Sequence, residues 1–383
     1  NTLTSESLVA VPLFLLMGEF LFRSAAVDEL YGALDTLIGR SRIRLYAVSV
    51  VLATILGTMS GSAMADAAIL SRTLYPGMVA RGYDRRLSAG LILAGATLAP
   101  IIPPSILAVI LATLAQVSIA ELLVAGFVPG VLLACALLLY AWLRVVIDPS
   151  KAPPIDPPDP GRTAGRRLRA LAKLAPFCVV IFMVVGLILL GIATPTESAA
   201  AGVVATMLVA LYLGTLRLRM IGEALYSAAR TSATILVIIM SANLFGQLLA
   251  FTGAPEASVR LVEHLDLGPW LVFIVLMAIC VVACMFIGQT EFMVISVPIL
   301  SPIIQSVGFD PIWFWMLYLI NITAGGMTPP FGMTMFVFKA SVPEMSLVDI
   351  YNSTWPVIGV IALAIALMAL FPGIVLVAPH LLR

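Results

Sequence analysis

The chain has 383 residues, 61% hydrophobic and only 11% charged, where an ordinary soluble domain carries roughly a quarter charged. Its 21 basic and 20 acidic residues leave a net charge of +1, which offers no surface to a polyanion. So few charges cannot coat a soluble fold of this size, which excludes a soluble enzyme, a nucleic-acid binder and a disordered scaffold. The chain reads as an all-α polytopic membrane protein.

In chain order, apolar stretches with the roughly 20 residues a bilayer crossing needs fall at 8–24, 87–114, 120–147, 174–194, 197–215, 231–252, 311–338 and 355–378. Two others, 43–60 and 269–287, run into the small or polar clusters Ser60-Gly61-Ser62 and Gly288-Gln289-Thr290. Each is followed by a second apolar half, 63–80 or 291–306. A polar interruption at membrane depth is tolerated only where protein or a cavity surrounds it. Residues 43–80 and 269–306 therefore read as re-entrant helical hairpins, each entering and leaving on one side. Cys135, Cys178, Cys280 and Cys284 all sit in apolar segments, and His264 and His380 lie outside them. No transition-metal, haem or other cofactor pattern accompanies them.

An internal duplication supports the hairpins. Pro103-Pro104 recurs 226 residues later as Pro329-Pro330, Gly82-Tyr83-Asp84 as Gly308-Phe309-Asp310, and Pro76 as Pro302. Ser118-Ile119 with Pro129 is echoed by Ser346-Leu347 with Pro356. Five crossings lie between the hairpins, and an odd number inverts the second copy, the arrangement of secondary transporters. Basic residues test the inversion independently. With the base of the first hairpin in the cytoplasm, every Lys and Arg falls on that side except Arg260 and Arg383 outside and Arg72 within the hairpin. The C-terminus is then periplasmic, and the Pro- and Arg-rich segment 148–173 is a cytoplasmic linker between the copies. The second copy has two spans, 174–215, ahead of the segment matching 8–24, so about fifty residues and two spans are expected before Asn1.

Each copy also contains a span broken by prolines, Ala99-Pro100-Ile101-Ile102-Pro103-Pro104-Ser105 and Gly325-Gly326-Met327-Thr328-Pro329-Pro330-Phe331-Gly332. Proline lacks an N–H and blocks the carbonyl four residues back. The freed carbonyls suit Na⁺, and the half-helices beyond each break offer positive dipole ends to an anion. The hairpin tips close against these breaks, Ser60-Gly61-Ser62 on the first and Cys284 to Thr290 on the second. Gln289, Thr290 and Thr328 are the side chains best able to bond a polar ligand. Apart from Arg72, no basic residue lies deep in the apolar segments. Bound Na⁺ and helix N-termini must then supply the positive potential for an anion, because a bare carboxylate in a desolvated pocket is costly.

Glu19, Asp66, Glu197 and Glu291 lie in or beside membrane segments, where acids are functional candidates. Asp66 and Glu291, just beyond the tips, also suit a helix N-terminus, and Glu197 in Thr194-Pro195-Thr196-Glu197 suits a cap. Proton coupling through one of them stays open. An ion channel would need a continuous polar pathway, whereas these breaks are isolated. Ser60 and Ser62 have no His or Lys in their segment to make an enzyme nucleophile.

Taken together these motifs resemble the large membrane (permease) subunit of tripartite ATP-independent periplasmic (TRAP) transporters over essentially the whole chain. The resemblance is carried by Pro12-Leu13-Phe14 through Gly18-Glu19, Ser60-Gly61-Ser62 with Ala65-Asp66, and Gly82-Tyr83-Asp84. It continues through Ile102-Pro103-Pro104-Ser105, Pro129-Gly130, Thr194-Pro195-Thr196-Glu197 and Thr328-Pro329-Pro330. It implies Na⁺-coupled import of an organic acid, of the C4-dicarboxylate or sugar-acid class, across a bacterial or archaeal inner membrane. A periplasmic substrate-binding protein would deliver the acid, and a small four-helix membrane subunit would brace the permease. A related anion transporter working without a binding protein is the alternative. By resemblance, one sodium site falls at Ser60, Gly61, Ser62, Ala99, Ile102 and Ser105, and a second at Cys284, Gly325, Thr328 and Phe331. Substrate would meet Ser62, Asp66, Pro104, Gln289, Thr290 and Pro330. Relatives commonly carry Gly where this chain has Cys284 and an acid where it has Gly288; here the acid comes later, as Glu291.

The resemblance further implies an elevator. Its transport domain is 43–114 (hairpin 43–80, broken helix 87–114) with 269–338 (hairpin 269–306, broken helix 311–338). The scaffold is 1–42, 115–268 with its linker 148–173, and 339–383.

Overall fold

The computed structural model describes residues 6–24, 26–154 and 164–381, and the side chains within them except those of 6–8, 59, 60 and 164. The chain opens with α1 (Glu6–Arg23) and α2 (Ala26–Leu37), then a hairpin whose ascending limb is α3 (Arg44–Ser60) and whose returning limb is α4 (Ala63–Thr73) with α5 (Tyr75–Ala80). A broken helix follows, α6 (Arg85–Ala96) and α7 (Ile106–Ala115), then α8 (Ile119–Ala125) and α9 (Phe127–Ile147). Next come α10 (Ala164–Ile181), a π-helical turn (Phe182–Gly186), α11 (Leu187–Leu189), α12 (Pro195–Tyr212), α13 (Leu218–Thr252) and α14 (Ala254–His264). The second hairpin is α15 (Pro269–Cys284) and α16 (Gln289–Val307), and the second broken helix is α17 (Pro311–Gly325) and α18 (Met333–Ser341). Helices α19 (Leu347–Leu370) and α20 (Gly373–His380) close the chain.

The duplication reaches down to single turns. Gly82 and Gly308, with φ of 83° and 81°, turn each hairpin into its broken helix. These left-handed values are nearly free of steric cost only for glycine. Asp84 then caps α6 by accepting from Leu87 N at 2.7 Å, and Asp310 caps α17 by accepting from Trp313 N at 2.9 Å. Ser118 and Ser346 cap α8 and α19 in the same way. Both Pro-Pro bonds, 103–104 and 329–330, are cis. At 1.5 Å per residue the 10-residue α7 covers about 15 Å, half the roughly 30 Å hydrocarbon core, so α6 and α7 make one crossing between them.

Helices α6 and α17 are sheathed on all sides, Leu87–Ala96 and Ile312–Gly325 being buried without interruption. Around them pack both hairpins and also α9 and α19, which touch α6, α3, α17 and each other. A second group packs α1 with α12 and α13, and α10 with α2 and α12, and meets the first through α1 and α2 on α3 and α13 on α16. Outward-facing Val204, Leu208, Leu244 and Leu248 on α12 and α13 are 58–64% exposed, the surface a bilayer or partner helix would cover. Among the described residues six helices are long and apolar enough to cross a membrane, among them Ile119–Ile147, Gly165–Leu189 and Leu218–Thr252.

Several boundaries differ from the sequence expectation. α13 begins at Leu218 rather than near 231, because its charged first turns are paired: Glu223 meets Arg23 and Arg219, each at 2.8 Å. α10 begins at Ala164, inside the expected linker, and Lys173 pairs there with Glu29 of α2 at 2.7 Å. The last long helix starts at Leu347 rather than 355 and stops at Leu370, leaving α20 separate. Residues 155–163 of the linker, and Asn1, lie outside the described residues.

Candidate functional site

Each hairpin tip is seated on the break of its own repeat. Gly61 ends α3 with φ of 60°, and a Cβ there would stand 3.2 Å from Ile106 N and 3.4 Å from Pro104 O. At the second tip a Cβ on Gly326 would fall 2.1 Å from Gln289 Nε2, so Gln289 lies across the break. The limbs behind the tips pack at near backbone contact. A Cβ on Gly57 would meet Ala99 Cα at 2.7 Å, and one on Gly325 would meet Cys284 Cβ at 2.6 Å. Ala99 and Gly325 occupy the same register of the duplication, so the glycine that permits the approach sits on the hairpin in one copy and on the broken helix in the other. Sequence reading missed Gly57, although its 42-residue separation from Ala99 offered no local signal.

The half-helices that begin at these discontinuities pair across the repeats, α4 with α18 and α7 with α16. Each of these four helices begins at a hairpin tip or a proline break, and each N-terminus carries partial positive charge. In the first repeat they are capped by side chains. Ser62 accepts from Ala65 N at 3.4 Å, and Ser105 accepts from Ala108 N at 3.0 Å. In the second the capping positions are Gly288 and Gly332, which have no side chain to do so.

The proline pairs deprive the carbonyls of Ala99, Pro100, Gly325 and Gly326 of their helical donors. Three are re-satisfied within the fold. Ser105 Oγ donates to Pro100 O, Thr328 N to Gly325 O at 2.9 Å, and Thr334 Oγ1 to Gly326 O at 3.1 Å. Thr328 is 1% exposed and donates its hydroxyl hydrogen to Ala324 O at 2.8 Å. The hydroxyl hydrogen is thus engaged within the fold, and the oxygen keeps lone pairs to accept from a polar ligand or to meet a cation. Tyr351 of α19, unforeseen in the sequence, donates to Pro330 O at 3.0 Å.

Of the expected sodium residues, Gly61, Ala99, Ile102 and Ser105 come together, as do Cys284, Gly325 and Thr328, all buried. Ser62 is half-buried, Phe331 is exposed, and the Ser60 side chain lies outside the described atoms. Among the expected substrate residues, Asp66 and Pro104 are buried, Gln289 and Thr290 half-buried and Pro330 exposed. Asp66, in the first turn of α4, has the charge sign that complements a helix N-terminus. Glu291 folds back over Gly288, its Oε2 2.0 Å from where a Cβ on that residue would be. Glu197 is a cap: its carboxylate accepts from Thr194 N at 2.8 Å while Thr194 Oγ1 accepts from Glu197 N at 3.3 Å. Glu19 pairs with Arg23 at 2.9 Å and accepts from Ser227. Arg72 is exposed in the last turn of α4, where a cation suits the helix dipole. Among the described residues no group of three His, Cys, Asp or Glu could hold a metal ion.

Inverted repeats, re-entrant hairpins and proline-broken helices around one central region define a membrane transporter architecture. Residues 1–374 match the family described as tripartite ATP-independent periplasmic transporter, DctM component, and the chain belongs to it. It is 29% identical to the C4-dicarboxylate TRAP transporter large permease protein of Pseudomonas aeruginosa over 98% of this chain and 87% of that protein. It is also 29% identical to the ectoine TRAP transporter large permease protein of Halomonas elongata, over 97% of this chain and 85% of that protein. The fold resembles the crystal structure of the YdaH transporter of Alcanivorax borkumensis with a TM-score of 0.69 at 14% identity, covering 95% of this chain and 85% of that one.

Proposed function

We propose that this permease subunit imports an organic acid together with Na⁺, moving its hairpins and broken helices as one body against a static frame. The observation that carries this reading is the seating of each re-entrant tip on the proline break of its own repeat. That junction gathers carbonyl and hydroxyl oxygens without any Lys or Arg in segments 60–66, 99–106, 284–291 and 325–333. A site of this kind binds an anion only when cations enter with it, because an uncompensated carboxylate in a dry pocket is costly. Na⁺ is assigned to Ala99, Ile102 and Ser105 with the Gly61–Ser62 tip, and to Gly325 and Thr328 beside Cys284, with the Phe331 backbone completing the second site.

The packing favours a larger moving body than the sequence alone defined. α9 and α19 share the contacts of the hairpins and broken helices, so they are assigned to that body; α1, α2, α10, α12 and α13 form the frame. A cavity of about 760 Å³ lies between the two groups where Thr113 and Gln116 at the end of α7 face Thr194 and Glu197 at the start of α12. The inner membrane, with the first hairpin's base cytoplasmic and the C-terminus periplasmic, is the assignment that keeps basic residues inside. A small membrane subunit and a periplasmic binding protein complete the complex. Relatives named for C4-dicarboxylates, ectoine, 2,3-diketo-L-gulonate and sialic acid carry chemically different solutes, so the family leaves the acid undefined.

Reconstitution in proteoliposomes with the small subunit and binding protein tests the reading. An inward Na⁺ gradient is expected to drive uptake of an organic acid and an equal K⁺ gradient is not. Equal uptake under both gradients rejects Na⁺ coupling.

A further inference from the structure

Five large apolar side chains stand in the open around the two tips: Met64, Phe286, Ile287, Phe331 and Met333, each 40–61% exposed. Such side chains clustered where a polar solute is to be handled need an occupant. Phe286, two residues before the second tip's turn, and Phe331, at the end of the second break, form a pair with ring centroids 6.0 Å apart and planes inclined at 50°. The hydroxyls that could have offset this apolar character are already engaged: Ser105, Thr328 and Thr334 donate to Pro100, Ala324 and Gly326 carbonyls. Among the described residues the other polar side chains at the tips are Ser62, which accepts from Ala65 N, the buried Asp66, and Gln289, Thr290 and Glu291.

From this lining we infer that the acid is a monocarboxylate with an apolar, ring-shaped body that rests on Phe286 and Phe331. The inference rests on the transporter reading above and narrows its substrate. A sugar acid arrives with a shell of hydroxyls, and a site that strips their water must replace it with donors and acceptors; this rim has few. A dicarboxylate brings a second charge, for which the tips hold no Lys or Arg, and the exposed Glu291 carboxylate repels it. An aromatic or alicyclic ring, in contrast, gains area and favourable stacking geometry on two inclined phenyl rings. Its carboxylate is the charge that the bound cations and the helix N-termini balance. Specificity then resides in the second repeat, at the rings of Phe286 and Phe331.

The test uses the full chain purified with its small membrane subunit, so that the binding protein's own selectivity does not intervene. Thermal unfolding is followed in NaCl and in KCl with benzoate, cyclohexanecarboxylate, succinate or N-acetylneuraminate. Benzoate and cyclohexanecarboxylate are expected to raise the midpoint in NaCl but not in KCl, and succinate and N-acetylneuraminate to leave it in place. Phe286→Ala and Phe331→Ala are each expected to weaken ring-acid binding about tenfold without lowering the ligand-free midpoint. If an alanine variant unfolds, Phe331→Leu keeps the bulk and removes the ring, and is expected to show the same loss. Stronger stabilisation by succinate or N-acetylneuraminate in NaCl overturns the ring assignment while leaving the transporter reading intact. Undiminished ring-acid binding in the phenylalanine variants does the same. No stabilisation by any of the four acids in NaCl overturns the ring assignment, while uptake under the Na⁺ and K⁺ gradients decides the transporter reading separately.

Discussion

The two repeats share one backbone plan and differ in what they leave open. In the first, Ser62 and Ser105 cap the half-helices, and Pro103, Pro104 and Ser105 are buried, so the break is sealed by its own side chains. In the second, glycines stand at both caps, while Pro330 and Phe331 are exposed. Ser105 and Phe331 hold the same register, one inside and hydrogen-bonded, the other outside and aromatic. Duplication thus supplied two equivalent proline breaks, and divergence left one closed by its own side chains and the other partly exposed.

The comparison is broken most severely at the closest backbone approaches. Gly57→Val places branched carbons where Ala99 Cα already lies 2.7 Å from a Cβ. It is expected to cost about 3 kcal/mol and to lose all uptake, read from thermal unfolding in detergent and from proteoliposomes. Gly57→Ala is expected to cost about 1 to 2 kcal/mol, and adding Ala99→Gly to recover little of it, because the nearest atoms are Ala99 Cα and N, which that change leaves in place. Full recovery in the double variant would show that the Ala99 Cβ alone sets the approach.

Next come the oxygens proposed to hold cations. Ser62→Ala and Thr328→Ala are both expected to abolish Na⁺-driven uptake while the complex still purifies folded. Unchanged uptake and Na⁺ dependence in the two variants would remove the proposed sites from these residues. The sealed and open registers then separate by stability alone. Ser105→Ala strands the Pro100 carbonyl and the Ala108 N–H, for an expected loss of about 2 kcal/mol. Phe331→Ala, at the matching position but exposed, is expected to change ligand-free stability by about 0.5 kcal/mol or less.

Much of this architecture was legible in the sequence because bilayers punish polar backbone. Ser60-Gly61-Ser62 and the proline pairs stand out against apolar surroundings that no soluble core would provide. What hydropathy cannot separate is a helix facing lipid from a helix facing protein. α9 and α13 are both long and apolar, yet Leu133, Leu137 and Ala141 of α9 are buried against the hairpin body while most of α13 faces outward. Charged helix ends were misread for a related reason. Arg219 and Glu223 look like loop residues until Arg23 of α1 is brought beside them from 200 residues away. Phe286 and Phe331 read as ordinary membrane residues, because only the fold shows that their rings meet in the open at a tip.

A last asymmetry lies at the hairpin bases and carries the smallest expected effect. Tyr46 on α3 donates to Lys151 O at 2.6 Å, Asp84 N donates to the same carbonyl at 3.0 Å, and Arg42 donates to Ala152 O at 3.2 Å. The start of the linker is thereby pinned to the first hairpin; Val272 holds the register of Tyr46 in the second repeat and cannot make such a bond. Asp148 shapes the pinned turn by accepting from Ser150 Oγ at 2.6 Å and Ser150 N at 3.1 Å. These bonds, and Lys151 nearby, lower its pKa below the ordinary carboxylate value. A lowered pKa means the carboxylate's contribution is present above the unfolded value of about 3.9 and disappears as pH falls through the folded one. Acidification from pH 6 to about 3 is therefore expected to reduce hydrogen-exchange protection at Ser150. Asp148→Asn is expected to weaken that protection at neutral pH and to make it insensitive to acid. Because Asp148 is exposed, the change should stay local, with Tyr46→Phe loosening 149–152 more. Equal protection in wild type and Asp148→Asn at both pH values would show that the backbone bonds to Lys151 O hold the linker unaided.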